Sequence, residues 1–240
     1  MKKFILPIAV ASLALTNCTG LQEVANALPG IIENSTVGQT QIASGLKEAL
    51  QQGINKQVVN LTKTDGFYNN SLVRIGLPPE LQKVEKTLRD VGLGSLADEG
   101  IKALNKAAGN AVKEATPIFV DAITGMTISD ATNILMGNKD AATQYLMKST
   151  KTSLYNKFNP VIKSSFTKVG ADKVWSNIIT KYNALPLVKD VNPDLTDYVT
   201  QQALTGVYTM IEKEEVNIRT NVSARSTNLL KTVFAMQDKK

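Results

Sequence analysis

Apolar side chains recur at helical spacing along most of this 240-residue chain. In residues 95–126 they follow one another at steps of three or four residues throughout, which is typical of a helix with one buried face. Pro117 lies inside this segment and predicts a kink there. Because runs with β-type alternation are few, the sequence predicts an all-α fold, a single bundle-like domain of several helices.

Start and stop signals divide the rest of the chain into further helices. Thr127 or Ser129 is suited to begin a short helix that Gly137 ends, and Pro160 is expected to interrupt the long helix that follows. Residues 72–75 are expected to form a brief extended piece. The other predicted helices span residues 41–63, 79–91, 138–158, 171–185, 193–219 and 223–236.

The first 18 residues resemble a bacterial lipoprotein signal. Two lysines at positions 2 and 3 precede an apolar segment, 4–15, that is too short to span a bilayer. The only cysteine of the chain, Cys18, follows directly, although Asn17 replaces the usual small residue before it. An ordinary secretory peptide with an incidental cysteine is the alternative, and the position of Cys18 favours the lipoprotein. The resemblance implies cleavage after residue 17 and diacylglycerol on the Cys18 thiol.

These signals divide the chain into four parts. Residues 1–17 are the predicted signal peptide, 18–39 a tether, 40–236 the helical domain, and 237–240 a tail expected to fray. Removal of the signal peptide removes two lysines and no acidic residue, so the net charge falls from +6 to +4. Thr19, and not Asp, follows Cys18, which by the sorting rules of Gram-negative bacteria implies an outer-membrane lipoprotein that faces the periplasm. The predicted partner is therefore the membrane, and nucleic acid is not expected.

The composition excludes several kinds of catalysis. The chain contains no histidine, which is the commonest general base and metal ligand in proteins. With Cys18 acylated, no thiol remains as a nucleophile or metal ligand. The sequence also lacks the GxSxG motif of serine hydrolases. We therefore predict no metal and no cofactor, and carboxylate, lysine, tyrosine and hydroxyl chemistry remains.

One polar cluster is predicted near the C-terminal end of the domain. The apolar positions of the helix at 193–219 place Glu214 on its inward face, where an unpaired charge would be costly. Arg219 or Arg225 is the expected partner, through charge-assisted hydrogen bonds. The cluster is interpreted either as a structural clamp between the last two helices or as an anion-binding or acid–base site, and the clamp is favoured.

Two carboxylates, Asp121 and Asp130, flank the predicted hinge at residues 125–129. Together they would serve as a general acid and base or bind a cation. The alternative is structural, because Asp130 lies where an acidic residue stabilises the first turn of a helix. The structural interpretation is favoured, and no catalytic residue is assigned.

Several segments together resemble the bacterial domain-of-unknown-function 4197 family. They are GLKEAL at 45–50, DGFYNN at 65–70, RIGLPPEL at 74–81, LNKAAGNAV at 104–112, PIFVDAITGMTISDATNILMG at 117–137, DAATQYL at 140–146, FNPVI at 158–162, DYVTQQALTGVY at 197–208 and EEVNIRTNVSARSTNLLKTVF at 214–234. The resemblance implies an envelope-associated, α-helical domain. It implies no activity, since none is assigned to the family.

Three classes of function remain, in order of preference. The first is a non-enzymatic binding or scaffold module of the envelope, with a protein or an apolar ligand as its partner. The second is a periplasmic carrier of a lipid or other apolar ligand, which requires a cavity in the bundle. The third is a carboxylate-dependent hydrolase of envelope glycan, which requires two carboxylates that face one cleft.

Overall fold

The fold is all-α, as the sequence predicts. The computed structural model describes residues 37–90, 92, 94–169, 171–184, 190 and 194–238, and these contain no β-strand. The predicted signal peptide, Cys18 and tether residues up to 36 lie outside the described residues. The helices are α1 Gln39–Thr62, α2 Pro79–Asp90, α3 Gly94–Val112, α4 Ala115–Thr124, α5 Ile128–Met136, α6 Ala141–Val169, α7 Ala171–Asn183, α8 Thr196–Thr220 and α9 Asn228–Phe234.

Three long helices, α1, α6 and α8, organise the packing. Helix α8 contacts α1, α3 and α6, while α6 also contacts α3, α4, α5 and α7. Fully buried side chains lie along these contacts, among them Leu104 on α3, Phe119 on α4, and Leu146 and Phe158 on α6. Among the described residues, no helix is both long enough and apolar enough to cross a bilayer.

Neither Pro117 nor Pro160 has the predicted effect on its helix. The segment 95–126 is not one kinked helix, because α3 ends at Val112 and α4 begins at Ala115. A proline ring collides with the carbonyl four residues earlier, so the break falls at residue 113, ahead of Pro117. The predicted interruption at Pro160 is wrong, since α6 is continuous from Ala141 to Val169 with this proline inside it.

The last helix is shorter than predicted, and residues that follow it are hydrogen-bonded to the helical domain. A 3₁₀ turn, Val222–Ala224, follows α8, and the Thr227 side chain then caps the N-terminus of α9. The predicted helix at 223–236 is therefore reduced to Asn228–Phe234. The expectation of a frayed tail is wrong for Gln237 and Asp238, because both side chains make hydrogen bonds to the helical domain.

The buried side-chain amide of Asn105 holds the segment between α1 and α2. The predicted extended piece begins as a turn, and no strand forms. The side chain of Asn105, only 2 % exposed, accepts a hydrogen bond from the Ile75 amide at 2.8 Å and donates one to the Ile75 carbonyl at 2.8 Å. It also donates to the Ile101 carbonyl on its own helix. Asn105 thus fixes this segment against α3.

Candidate functional site

The buried acidic residue near the end of α8 is Glu215, and its partner is Arg219 one turn later. The Arg219 Nε and Nη2 atoms donate to Glu215 Oε1 at 2.9 and 2.8 Å. Glu215 is 8 % exposed and Arg219 is 7 % exposed. A buried ion pair is tolerated only where its remaining donors and acceptors are also satisfied.

Those remaining groups bind the ends of two other helices. The Glu215 carboxylate accepts hydrogen bonds from the amides of Ala142 and Thr143, at 2.9 and 2.8 Å, in the first turn of α6. Arg219 donates to the carbonyls of Ile134 and Leu135, at 2.9 and 3.0 Å, in the last turn of α5. These are the backbone groups that a helix cannot pair internally. We call this arrangement the α5–α6 clamp.

Glu214 lies outside this clamp, so its predicted pairing with Arg219 or Arg225 is wrong. Its carboxylate accepts from Lys56 Nζ at 2.6 Å and from Gln57 Nε2 at 3.0 Å, both on α1. The Glu214 side chain is 12 % exposed, at the edge of the buried face. The apolar stripe on α8 continues from Ile211 to Glu215, four residues later. This spacing in the sequence could have identified Glu215 as the buried acidic residue.

Arg225 caps the C-terminal end of α8. Its guanidinium donates to the carbonyls of Ile218 and Arg219, at 3.1 and 3.0 Å. It also forms a bidentate pair with Asp238, at 2.6 and 2.8 Å. The hydrogen bonds from Arg225 lower the pKa of the Asp238 carboxyl. This pair connects the end of the chain to α8, and the sequence analysis did not identify Asp238.

The two hinge carboxylates are separate features in the structure. Asp130 and Thr127 form a capping box, in which Asp130 accepts from the Thr127 amide and hydroxyl while the Thr127 oxygen accepts from the Asp130 amide. The hydrogen bonds from Thr127 lower the pKa of Asp130. Asp121 is exposed on α4. Neither carboxylate lines the clefts described below, and no group of three acidic residues among the described residues is placed to hold a metal ion.

An open cleft of about 480 Å³ lies where α6, α7 and the start of α8 meet, and we call it the α6–α8 cleft. Its apolar wall consists of Phe166, Trp175 and Leu195, each nearly buried. Its polar lining consists of Lys163, Thr167, Asp172, Lys173, Ser176, Asp194 and Thr196. Clefts of this size that combine apolar walls with a few charged groups are typical of small-molecule sites.

Two carboxylates line the α6–α8 cleft, and both are already hydrogen-bonded. Asp172 accepts from Thr167 Oγ1 at 3.2 Å and from the Lys173 amide at 2.8 Å. Asp194 accepts from the Thr196 amide at 2.9 Å. Hydrogen bonding from Thr196 and the nearby charge of Lys163 lower the pKa of Asp194, which keeps it ionised at neutral pH. An ionised carboxylate accepts a proton and cannot deliver one, so Asp194 is unsuited to act as a general acid.

The core of the bundle has little free space where α1, α8 and α9 meet. The cavity there is about 20 Å³ and is lined mainly by apolar side chains such as Leu46, Ile54, Ile211 and Phe234. Since a single water molecule needs about 10–15 Å³ of such space, a cavity of this size has no room for an acyl chain.

Comparison with known proteins assigns the chain to a family without a known activity. No curated protein and no solved structure matches it. A family model described as a protein of unknown function (DUF4197) matches residues 36–235, which include every helix from α1 to α9. The match covers most of the chain and agrees with the resemblance seen in the sequence. The protein belongs to the DUF4197 family.

Proposed function

We propose that this protein is a non-enzymatic binding module of the cell envelope, anchored to the outer membrane by lipid on Cys18 and facing the periplasm. Its ligand is a small amphiphile with an apolar body and a charged group. The observation that supports this proposal is the α6–α8 cleft, in which apolar and charged side chains share one opening.

The buried charges of the domain support a binding role over catalysis. Glu215, Arg219 and Arg225 are the buried charged side chains among the described residues, and each is hydrogen-bonded to a helix end. Charged groups that are hydrogen-bonded in this way stabilise the fold, and they have no free donor or acceptor with which to bind a substrate. With no histidine in the chain, the remaining candidates for proton transfer are the other carboxylates, the lysines and the tyrosines.

The only tryptophan of the sequence, Trp175, lines the α6–α8 cleft and makes the proposal testable by fluorescence. Anilinonaphthalene sulfonate is a suitable probe, because its rings match the apolar wall and its sulfonate matches Lys163 and Lys173. We expect energy transfer from Trp175 to the bound dye in the full chain, saturating at one equivalent. Absence of saturable transfer would contradict the proposal.

A matched pair of variants locates the dye. Ser176→Leu places a larger side chain in the lining of the cleft, where it would occupy part of the space for the dye. This variant removes no core residue and should weaken dye binding about tenfold or more. Ser153→Leu places the same side chain on an exposed position of α6 outside the cleft and should leave the affinity unchanged. Equal losses in both variants would show that the dye binds elsewhere.

A carrier of a lipid or other apolar ligand is the second candidate. The small core cavity disfavours a ligand enclosed in the bundle, so an apolar ligand would have to use the α6–α8 cleft. N-phenyl-1-naphthylamine resembles the first dye but lacks the sulfonate. Tighter binding of this neutral probe would favour the carrier. The glycan hydrolase has the weakest support, because Asp194 is not suited to donate a proton.

A further inference from the structure

A second cleft, of about 440 Å³, separates the end of α1 from α3 and is lined mainly by polar groups. Lys63 and Asp65 come from the turn after α1, Lys102 and Lys106 come from α3, and Lys113 directly follows the end of α3. These five side chains define what we call the basic cleft. It lies outside the α6–α8 cleft, with which it shares no lining residue.

The backbone holds the two walls of the basic cleft at a fixed distance. Asp65 has φ +56°, and a Cβ at Gly66 would lie 2.5 Å from the Asn60 carbonyl oxygen, so the turn needs glycine there. A Cβ at Gly109 on α3 would lie 3.3 Å from the Leu61 carbonyl oxygen at the end of α1. Close backbone approach at these two glycines sets the shape of the cleft before any ligand binds.

The charges of the basic cleft are unbalanced. One carboxylate, Asp65, contacts Lys102 at 3.4 Å. Lys63 and Lys113 donate to the neutral side chains of Asn60 and Asn110, at 3.0 and 3.3 Å. Within the part of the chain that the structure describes, Lys106 forms no hydrogen bond or ion pair. Four lysines therefore face one acidic group, and an anion bound between them would relieve their mutual repulsion.

The positive charge continues beyond this cleft. A neighbouring hollow of about 240 Å³ shares Lys106 and Asn110 with it and adds Ser165 and Lys168 from α6. On α3, Lys102 and Lys106 are four residues apart and therefore lie on one face of the helix, and Lys113 follows just past its end. The part of α3 between residues 102 and 112 covers about 15 Å, so these charges are spread further than a single phosphate extends.

We propose that the basic cleft binds an anion that carries two or more phosphate groups. Each phosphate brings about −1.5 to −2 charges and three acceptor oxygens, which match ammonium groups that lack carboxylate partners. The side chains of Thr62, Thr64 and Asn110 supply further polar contacts at the same opening. A free oligophosphate and a phosphorylated headgroup share this chemistry.

Calorimetric titration of the full chain in a neutral detergent tests the proposal, with pyrophosphate as the probe. We expect saturable binding that weakens as salt is added, because exposed charges are screened. Citrate, with similar charge at neutral pH but carboxylates in place of phosphates, should bind at least tenfold more weakly. No binding of pyrophosphate, or equal affinity for citrate, would overturn the assignment.

Two double variants with the same loss of charge separate the cleft from the overall charge. Lys63→Gln with Lys106→Gln should weaken pyrophosphate binding about tenfold or more, since two hydrogen bonds from charged donors to the anion are lost. Lys83→Gln with Lys151→Gln removes exposed lysines from α2 and α6 and should change the affinity less than twofold. Equal losses in the two double variants would contradict a specific site.

Geranyl diphosphate, a short water-soluble lipid that carries two phosphate groups, is titrated in the same way and distinguishes the sources of the phosphates. Tighter binding of this short lipid than of pyrophosphate supports a lipid headgroup, and tighter binding of pyrophosphate supports a free oligophosphate. Either result must disappear in the variant with Lys63 and Lys106 replaced, and persistence there would refute the basic cleft as the site.

Discussion

Glu214 and Glu215 are neighbours in sequence but have different roles. Glu214 faces α1 and pairs with the half-exposed Lys56. Glu215 is buried and forms the α5–α6 clamp with Arg219. Removal of one partner from a buried pair leaves an uncompensated charge, whereas a pair open to water contributes little.

Replacing Glu215 should therefore affect stability far more than replacing Glu214. We expect Glu215→Gln to lower the free energy of unfolding by about 3 kcal/mol. Glu214→Gln, the matched control, should lower it by about 1 kcal/mol or less, because Lys56 is largely solvated. Urea denaturation followed by circular dichroism measures both. A loss for Glu214→Gln as large as that for Glu215→Gln would show that the clamp is wrongly assigned.

The sequence predicts an inward-facing acidic residue with an arginine partner near the end of α8, but it places Glu214 in this position where the structure has Glu215. A repeat of 3.6 residues allows steps of three or four, so the apolar pattern places either acidic residue on the inward face. The amides of Ala142 and Thr143 decide between them, and they lie more than 70 positions earlier in the chain. Capping by Thr127 is local in sequence and was one of two alternatives predicted, whereas the contact of Asp238 with Arg225 depends on the path of the chain after α9.

At the scale of elements, close helix packing depends on a few positions without a side chain. Gly206 on α8 lies against the turn that follows α1. A Cβ there would be 2.8 Å from Phe67 Cε1 and 3.2 Å from Val73 Cβ. Phe67 is 1 % exposed and Val73 is 6 % exposed, so neither side chain has open space into which to move.

We expect Gly206→Ala to destabilise the protein by about 1–3 kcal/mol, because overpacking outweighs the better helix propensity of alanine. Gly53→Ala on α1 is the control. A Cβ there would lie 3.4 Å from the Glu214 side chain, an ordinary contact, so this variant should gain up to about 1 kcal/mol. Thermal unfolding compares the two, and a shift in the same direction for both would be inconsistent with tight packing at α8.

The bounds of α4 and α6 show that the effect of a proline depends on its position in the helix. Pro117 and Pro160 were both expected to disturb a helix, but α4 begins two residues before the first and α6 runs through the second. A proline in a first turn loses no helical hydrogen bond, whereas one in the interior loses one that tertiary packing must offset. Buried Phe158 and Ile162 flank Pro160 and hold α6 in the core. Periodicity predicts the buried face of a helix, and packing determines where it ends.

At the scale of the whole molecule, the two clefts are features that periodicity does not predict. The lysines of the basic cleft are distributed between positions 63 and 113, so no run of positive charge in the sequence marks this cleft. Folding of the turn after α1 against α3 brings them together. The all-α class follows from local spacing alone, whereas clefts depend on how distant segments meet.

The proposed anchor leads to a prediction about the location of the whole protein. Cys18→Ser removes the thiol that would carry diacylglycerol, so the protein should move from the membrane fraction to the soluble fraction. Mass spectrometry of the native protein should show acyl chains on residue 18 and an N-terminus at the same residue. An unmodified cysteine, or unchanged fractionation of the variant, would exclude lipid anchoring at this position.

The α5–α6 clamp also determines when part of the fold is completed. A polypeptide leaves the ribosome with its amino end first, so α5 and α6 are synthesised well before Glu215 and Arg219. Until these two side chains emerge, the Leu135 carbonyl and the amides of Ala142 and Thr143 lack the partners that the clamp gives them. The clamp therefore closes only after α8 has been synthesised, and a nascent chain stalled ahead of α8 lacks all of these hydrogen bonds.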